Sequence, residues 1–254
     1  MIAGMSRGQR VALVTGSSRG LGAVIARRLG NDGFAVAVNG LPGDGHADVV
    51  VADIRHAGGV AAVFEGDVTD RDAVAQLVMA IGERLGAVDV LVVNATGPQP
   101  NGAVLEVGWD EHLKQLDFFV KSPVLLGREI VPGMRERNYG RIVQIDSEVA
   151  FRSPPGRSAY ATAKAAQVGL TQSWARELAP YGITVNTVAP GFIPVERHAD
   201  VSEAERAAYK ASVPVGRMGT PDDIAHAVSF FASEGAGFVT GQRIVVDGGR
   251  DLLP

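Results

Sequence analysis

Residues 11–22 read VALVTGSSRGLG, an apolar, β-branched run that ends directly in a glycine-rich loop. A helical pattern follows at Ala23–Leu29. Glycines at positions 16, 20 and 22 allow a tight turn and let backbone N–H groups approach a pyrophosphate at the N-terminus of that helix. Because the loop lies between the first strand and the first helix, it predicts a dinucleotide-binding loop rather than an ordinary strand-to-helix turn.

Short apolar runs alternate with longer helical patterns along the rest of the chain. Most of the runs are continuously apolar, which is typical of parallel strands covered by helices on both faces. The predicted strands are Val11–Thr15, Ala35–Asn39, Val60–Glu65, Val88–Asn94, Arg141–Ile145, Thr184–Ala189 and Arg243–Val246. The predicted helices between them include Asp70–Leu85, Trp109–Met134, Ser158–Leu178 and Pro221–Ala232. This order predicts an α/β fold, a doubly wound parallel sheet of about seven strands of the Rossmann type.

The chain reads as one domain with one exceptional segment. No linker, low-complexity segment or internal repeat interrupts the pattern, so we predict a single domain over residues 11–254, preceded by an N-terminal extension of residues 1–10. Residues 192–214 have no strand partner and contain one short helical run, Val201–Ala211. We predict that this segment is a mobile lid over the substrate.

Composition and charge exclude several classes of protein. The 254 residues carry 24 Lys and Arg against 28 Asp and Glu, a formal net charge of −4, so the electrostatic footprint of a nucleic-acid-binding protein is missing. The sequence has no Cys, which excludes disulfides and thiolate metal sites, and other metal-ligand spacing is absent. No apolar run reaches transmembrane length, and the first ten residues, MIAGMSRGQR, lack the apolar stretch of a signal peptide. We therefore expect a cytoplasmic protein that binds no metal, nucleic acid or membrane.

A serine, a tyrosine and a lysine form the candidate catalytic group. Tyr160 and Lys164 lie four residues apart in a helical pattern, so their side chains share one face. Ser147 follows the predicted strand Arg141–Ile145, and the carboxyl ends of parallel strands are where such folds bind ligands. A free tyrosine, with a pKa of about 10, is a weak acid near neutrality, and a nearby ammonium group lowers that pKa. The set predicts acid–base chemistry, although a surface Tyr and Lys on an amphipathic helix are the alternative.

The glycine spacing T-G-x-x-x-G-x-G, together with Ser147, Tyr160 and Lys164, resembles the short-chain dehydrogenase/reductase family, in particular its branch of 3-oxoacyl-carrier-protein reductases and related ketoreductases. Other motifs in the same order extend this resemblance over nearly the whole chain: Asp67-Val68, Asn94-Ala95, Pro190-Gly191 and Val246-Asp247-Gly248-Gly249. The resemblance implies an oxidoreductase that transfers hydride between NADP(H) and a ketone or secondary alcohol. It implies that Tyr160 is the acid–base group, that Ser147 hydrogen-bonds the substrate oxygen, and that Lys164 also holds the nicotinamide ribose.

The same resemblance implies a cofactor site, a class of substrate and an assembly. The residues that it assigns to the cofactor are Gly16, Ser18, Arg19, Gly20, Leu21, Gly22, Asn39, Asp67, Val68, Asn94, Ala95, Tyr160, Lys164, Pro190, Gly191 and Ile193. The implied substrate is a small carbonyl or alcohol compound, thioester-linked compounds included. A homotetramer is expected, with Trp109–Met134, Ser158–Leu178 and the C-terminal strand as contact surfaces.

The choice between NADP(H) and NAD(H) depends on the end of the second strand. Folds that prefer NAD carry an Asp or Glu about 20 residues past the loop to contact the ribose. Here that position is Gly40, between Asn39 and Leu41. Arg19, inside the loop, can form a charge-assisted fork with a 2′-phosphate, although a solvated loop arginine is the alternative. Asp44 is the nearby acid that would support NAD(H); we favour NADP(H).

The sequence departs from the family pattern at three positions. Where the family usually has an Asn that anchors a proton-relay water, this chain has Phe119, with Asp117 and Lys121 as the nearby polar candidates to replace it. The Thr expected to touch the nicotinamide carboxamide is Val195, and the family's N-N-A-G pattern is Val93-Asn94-Ala95-Thr96 here. These changes motivate an alternative function, a non-catalytic or weakly active NADP(H)-binding regulator of the same fold. A sugar-nucleotide epimerase is disfavoured by the glycine spacing.

Two carboxylates flank Ser147, which is unusual beside a group that binds a carbonyl. Asp146 either satisfies backbone donors in its turn, or one of Asp146 and Glu148 faces the pocket and favours a polar or cationic substrate. Arg152 and Arg157 lie just downstream and are the candidates to neutralise both carboxylates.

Overall fold

In the computed structural model the first strand is buried over its whole length, as its continuously apolar sequence predicts. The structure describes residues 8–251. Within that range the strands are β1 (Val11–Val14), β2 (Ala35–Gly40), β3 (Val60–Glu65), β4 (Val88–Val93), β5 (Gly140–Ile145), β6 (Ile183–Pro190) and β7 (Arg243–Val246). These seven strands form one parallel sheet in the order β3-β2-β1-β4-β5-β6-β7. Each predicted strand is present, with ends that differ by no more than one residue.

Helices cover both faces of the sheet. In the described chain they are α1 (Gly20–Asn31), α2 (Ala47–His56), α3 (Arg71–Arg84), α4 (Trp109–Leu116), α5 (Ser122–Glu136), α6 (Val149–Arg152), α7 (Ser158–Leu178), α8 (Glu203–Ala211) and α9 (Pro221–Ala232). Apolar side chains of α1, α2 and α9 pack on the face that carries Val14 and Val143. Those of α3, α5 and α7 pack on the face that carries Leu13 and Ile142. Since neighbouring strand residues point to opposite faces, this arrangement confirms the predicted doubly wound α/β fold in one domain.

The strand order reverses at β1, which pairs with β2 on one side and with β4 on the other. Hydrogen bonds fasten the carboxyl ends of β1 and β4 together. The Thr15 hydroxyl accepts from the N–H groups of Asn94 and Ala95 at 2.9 and 3.0 Å, and Asn94 Nδ2 donates to the Thr15 carbonyl at 3.0 Å. In open α/β sheets ligands bind in the crevice at this switch point.

Two local differences from the predicted helices have physical explanations. The helix predicted over Trp109–Met134 is interrupted by a π-helical turn, Asp117–Lys121, in which the Ser122 N–H donates to the Asp117 carbonyl. Pro123 follows at once and has no N–H with which to continue an α-helical ladder. Helix α2 was not predicted because its valine-rich sequence, ADVVVADIRH, is also typical of a strand.

The predicted lid segment contains α8, two residues shorter than the run predicted there. A capping box begins this helix, since the Ser202 hydroxyl accepts from the Glu205 N–H at 3.3 Å and Glu205 Oε2 accepts from the Ser202 N–H at 3.0 Å. Residues 1–7 of the predicted N-terminal extension, and residues 252–254 of the predicted domain, lie outside the described residues. Among the described residues, no helix has the combined length and apolar character that crossing a membrane would need.

Candidate active site

The glycine loop between β1 and α1 packs too closely for side chains. A Cβ atom on Gly22 would collide with the carbonyl oxygen of Gly16 and would lie 2.5 Å from Nδ2 of Asn94. The Gly16 N–H donates to Oδ1 of Asn39 at 3.0 Å, which ties the loop to the end of β2. Arg19 occupies the N-cap position of α1 without a side-chain capping bond, so the first N–H groups of the helix remain available to an anionic ligand.

Lys164 joins α7 to the carboxyl end of β5. Its Nζ donates to the Ile145 carbonyl at 2.6 Å and to Oε1 of Gln167 at 3.1 Å. Both Lys164 and Tyr160 are buried, and Nζ lies 5.7 Å from the centre of the Tyr160 ring. The structure therefore places the predicted phenol and ammonium side by side, as the four-residue spacing indicates.

Ser147 lies in the turn that follows β5, two residues after the carbonyl that holds Lys164. Its hydroxyl oxygen accepts the N–H of Val149 at 3.2 Å, at the start of α6, and α6 packs against α7. Because this bond uses the hydroxyl as an acceptor, its hydrogen can be donated to a substrate oxygen. Ser147, Tyr160 and Lys164 thus all lie near the carboxyl end of β5, at the end of the sheet that also carries the glycine loop.

This arrangement can be compared with known proteins. A model of a short-chain dehydrogenase family, described as enoyl-(acyl carrier protein) reductase, matches residues 16–251. The chain belongs to the short-chain dehydrogenase/reductase family. The resemblance stated from the motifs is therefore confirmed.

Named relatives of this short-chain dehydrogenase/reductase cover nearly all of it. Nodulation protein G of Azospirillum brasilense is 38% identical over 243 residues, 95% of this chain and 98% of the relative. The 3-oxoacyl-[acyl-carrier-protein] reductase FabG of Staphylococcus aureus strain Mu50 is 37% identical over 240 residues, 94% of this chain and 96% of the relative. A crystal structure of a 3-oxoacyl (acyl-carrier-protein) reductase from Agrobacterium tumefaciens C58 with NADP bound has a TM-score of 0.88 at 35% identity, covering 94% of this chain and 93% of that one.

Another solved structure from Agrobacterium tumefaciens, described provisionally as a gluconate dehydrogenase, has a TM-score of 0.91 at 32% identity. It covers 97% of this chain and 98% of its own. Relatives of this short-chain dehydrogenase/reductase are therefore named both as reductases and as dehydrogenases.

Apart from Tyr160 and Lys164 on α7, the residues predicted to hold the cofactor lie at or just beyond the carboxyl ends of β1, β2, β3, β4 and β6. The Asp67 carboxylate is already engaged, because its Oδ1 accepts from the N–H and the hydroxyl of Thr69 at 2.8 and 2.7 Å. Val68 and Ile193 are buried, whereas Arg19 is exposed. Their contacts with a cofactor stay predictions.

Asp44 lies at the end of β2, in the position that the sequence left without a carboxylate. Its Oδ2 is 2.8 Å from where a Cβ atom of Gly40 would be, and the Ser18 side chain hydrogen-bonds it. Burial raises the pKa of Asp44, but hydrogen bonds from Ser18 and from the N–H groups of His46 and Ala47 outweigh it and hold the pKa below its ordinary value. An ionised carboxylate therefore lies beside Ser18, the residue that precedes the exposed Arg19 in the glycine loop.

Phe119 fills the position where the family usually has its relay Asn. Its buried ring lies 3.7 Å from Nζ of Lys164 and packs edge-on against the Tyr160 ring, with ring centres 5.5 Å apart. Asp117 and Lys121, the candidates to replace the Asn, are half-exposed and pair with each other at 3.4 Å. In this family member an aromatic ring, not a polar group, covers the lysine on this side.

We expect Phe119→Asn to lower the free energy of unfolding by about 3 kcal/mol and to leave kcat no higher, because it removes a buried ring and buries an amide. Urea unfolding and steady-state kinetics measure the two effects. Phe119→Leu is the control, since it loses volume without adding a polar group. An Asn variant with wild-type stability and raised kcat would show instead that the helix still accommodates the relay.

The two carboxylates beside Ser147 have partners far along the chain. Arg243 of β7 donates to Asp146 at 2.7 Å and to the Ser147 carbonyl at 2.8 Å. Arg250 pairs with Glu148 at 2.8 Å. Burial raises the pKa of Asp146, although Lys164 and Arg243 oppose this. Neither carboxylate therefore lacks a countercharge.

The expectation that Arg152 and Arg157 neutralise these carboxylates is wrong. Arg152 pairs with Asp251 at 2.8 Å, and Arg157 donates to the Gln99 side chain. Both arginines follow Ser147 closely in sequence, but α6 and its following turn direct them elsewhere. Sequence reasoning missed Arg243 and Arg250, the arginines that pair with the carboxylates, because nothing local marks them. It also missed Gln167 beside Lys164, which the three-residue helical spacing of the two residues could have indicated.

Proposed function

We propose that this protein is an NADP(H)-dependent oxidoreductase that interconverts a ketone and a secondary alcohol. The observation that carries the proposal is the position of Lys164, fixed on the Ile145 carbonyl beside Tyr160 and next to the Ser147 turn. A binding module needs no such trio at the crevice of its glycine loop. Membership of a family of oxidoreductases supports the same function.

The residues suggest how the reaction proceeds. A bound nicotinamide supplies or accepts the hydride at the substrate carbon. Ser147 donates a hydrogen bond to the substrate oxygen, and the Tyr160 hydroxyl gives that oxygen its proton as the carbonyl becomes an alcohol. The Lys164 ammonium stabilises the phenolate that remains, and Phe119 keeps water away from the pair on one side. Alcohol oxidation uses the same groups in reverse.

For the cofactor we propose NADP(H), with Arg19 as the group that meets the 2′-phosphate. The reductase from Agrobacterium tumefaciens with NADP bound supports this choice at 35% identity. The loop has the close packing at Gly22 that a pyrophosphate cradle requires. Asp44, at the end of β2, favours the ribose hydroxyls of NAD(H) and so limits the preference.

For the substrate we propose a 3-oxoacyl-type or related ketone, thioester-linked compounds included, because relatives are named 3-oxoacyl-[acyl-carrier-protein] reductases. Residues 192–214 would serve as its lid. We also propose a homotetramer, which light scattering in solution tests. The cytoplasmic location and the domain boundaries stay predictions from the sequence.

Purified protein incubated with NADPH and a panel of ketones is expected to consume NADPH, with 3-oxoacyl thioesters among the faster substrates. Loss of NADPH absorbance measures turnover, and a thermal shift on adding NADPH alone measures binding. Thermal stabilisation without consumption of NADPH by any ketone, or by any alcohol with NADP⁺, would favour the regulator that the changes at Phe119 and Val195 suggest.

A further inference from the structure

Glu148, the neighbour of Ser147, lies at the centre of a cluster that joins three distant parts of the chain. Arg250, beyond β7, donates to Glu148 Oε2 at 2.8 Å. The Tyr209 hydroxyl, on α8, lies 3.3 Å from both Glu148 carboxylate oxygens. The Arg250 guanidinium also stacks over the Tyr209 ring at 4.3 Å from its centre. Glu148, Tyr209 and Arg250 thus form one hydrogen-bonded group, the positioning cluster.

The positioning cluster holds the lid segment near both of its ends. The Phe192 N–H, where the segment begins, donates to the Tyr209 hydroxyl at 2.6 Å, and the two rings pack edge-on at 5.4 Å. Near the other end, Arg250 Nε donates to the Ser212 hydroxyl at 2.7 Å. A Cβ atom on Gly191 would come within 2.5 Å of the Tyr209 hydroxyl, so this approach requires glycine there.

Between these two anchors the segment reaches the glycine loop. Side-chain atoms of Val195 and Glu196 lie 3.9 and 3.5 Å from the Cβ position of Gly20. The lid therefore extends from the Ser147 turn to the first turn of α1, across the crevice where substrate and cofactor would meet. A shift of Tyr209 or Arg250 would therefore shift the lid residues that lie between Phe192 and Ser212.

The chemistry of the cluster favours a single arrangement. Glu148 is buried, and a buried carboxylate is costly unless charged and hydrogen-bonding partners surround it. Arg250 supplies the charge and Tyr209 the hydrogen bond. Burial raises the pKa of Tyr209 to about 12, so its hydroxyl keeps the hydrogen that it donates to Glu148 while its oxygen accepts from Phe192. One hydroxyl thus links the turn of the candidate catalytic serine to the lid.

We propose that Tyr209, through Glu148 and Arg250, is a positioning residue that sets the lid relative to Ser147 and so fixes the pocket in which the ketone lies. This inference rests on the proposed function. It assigns a role in ketone binding to α8 and to the segment after β7, neither of which contributes one of the three candidate catalytic side chains.

Tyr209→Phe removes the hydroxyl and keeps the ring. We expect KM for the ketone to rise about tenfold while kcat changes little, because the loss is one of ground-state positioning. Hydrogen exchange of the Phe192 amide should become at least about tenfold faster, since its hydrogen-bond acceptor is lost. The control is Tyr181→Phe. Tyr181 lies just before β6, at the amino ends of the strands and away from the site, and its hydroxyl accepts a hydrogen bond from Arg135 at 2.7 Å. Tyr181→Phe should leave KM and the Phe192 amide unchanged.

A double-mutant cycle separates positioning from general destabilisation. Glu148→Gln alone should also raise KM. The double variant with Tyr209→Phe should have a KM no higher than that of the single variant with the higher KM, because both substitutions disrupt one unit. Arg250→Gln replaces Glu148→Gln in the cycle should the latter fail to fold. A wild-type KM and wild-type exchange in Tyr209→Phe, or KM effects that simply multiply in the double variant, would overturn the inference.

The failure of the proposed function gives a different result from the failure of this inference. A wild-type protein that reduces no ketone refutes the function, and the Phe192 exchange in Tyr209→Phe then decides whether the hydroxyl holds the lid. Active wild-type protein with an unaltered Tyr209→Phe variant refutes the inference alone.

Discussion

Replacing Tyr160 with phenylalanine lowers kcat by at least about 100-fold and leaves the affinity for NADPH nearly unchanged, because only the proton donor is lost. The ring of the variant can still pack edge-on against Phe119, so the fold around Lys164 is kept. Stopped-flow or steady-state loss of NADPH absorbance measures turnover, and fluorescence titration measures cofactor binding.

The control is a second tyrosine, just beyond the helix that carries Tyr160. Tyr181 lies just after α7 and bonds to Arg135 rather than to the site, so Tyr181→Phe should keep full turnover. Ser147→Ala should lower kcat as well, because it removes the hydrogen bond to the substrate oxygen. A Tyr160→Phe variant that reduces ketones at the wild-type rate would refute the acid–base mechanism as a whole.

The fold was predictable because its signals are local. Most strands are largely apolar runs such as VALV at Val11–Val14, and most are followed by glycine or polar residues that a turn requires. Asp70, the first residue of the helix predicted over Asp70–Leu85, caps α3 by accepting from the Ala73 N–H at 2.8 Å. Prediction failed where local signals were ambiguous: the valines of α2 suit a strand as well, and the π-helical turn at Asp117–Lys121 leaves the helical pattern of hydrophobic residues almost unchanged.

The site was only half predictable for the same reason. Tyr160 and Lys164 are neighbours on one helix, so spacing alone brings them together. The partners of the carboxylates beside Ser147 lie 97 and 102 residues away in sequence, at Arg243 and Arg250. Nearby arginines looked equally suitable, and only the course of the chain after β5 decides between them. Long-range ion pairs of this kind depend on strand order, which residue spacing does not encode.

Asp44 is a similar case with a consequence for function. The sequence shows a glycine at the end of β2 and an acid four residues later in Gly43-Asp44-Gly45, without saying where that acid lies. The structure brings its carboxylate back to Gly40 and Ser18, so the edge of β2 is not free of negative charge. We therefore expect cofactor preference to depend on a balance between Arg19 and Asp44 rather than on either residue alone.

Arg19→Ala should weaken NADPH binding by about 10- to 100-fold and change NADH binding little, since a charge-assisted fork to the 2′-phosphate is lost. Isothermal titration of each cofactor measures the difference. Loss of the same size for both cofactors would show that Arg19 serves the shared pyrophosphate or the loop itself, and the NADP(H) assignment would then fail.

Asp44→Asn tests the opposite side of the balance and keeps the size of the side chain. An ionised carboxylate repels a 2′-phosphate and accepts hydrogen bonds from ribose hydroxyls, so the variant should bind NADPH up to about tenfold more tightly and NADH more weakly. The first effect should shrink as salt is added, because Asp44 is only partly buried and screening reaches it. Asp48, on the exposed side of α2, provides a matched Asp→Asn control that should move neither affinity. If Asp44→Asn weakens NADPH instead, then Asp44 acts by holding the Ser18 loop in place, and its carboxylate is not what limits the preference for NADP(H).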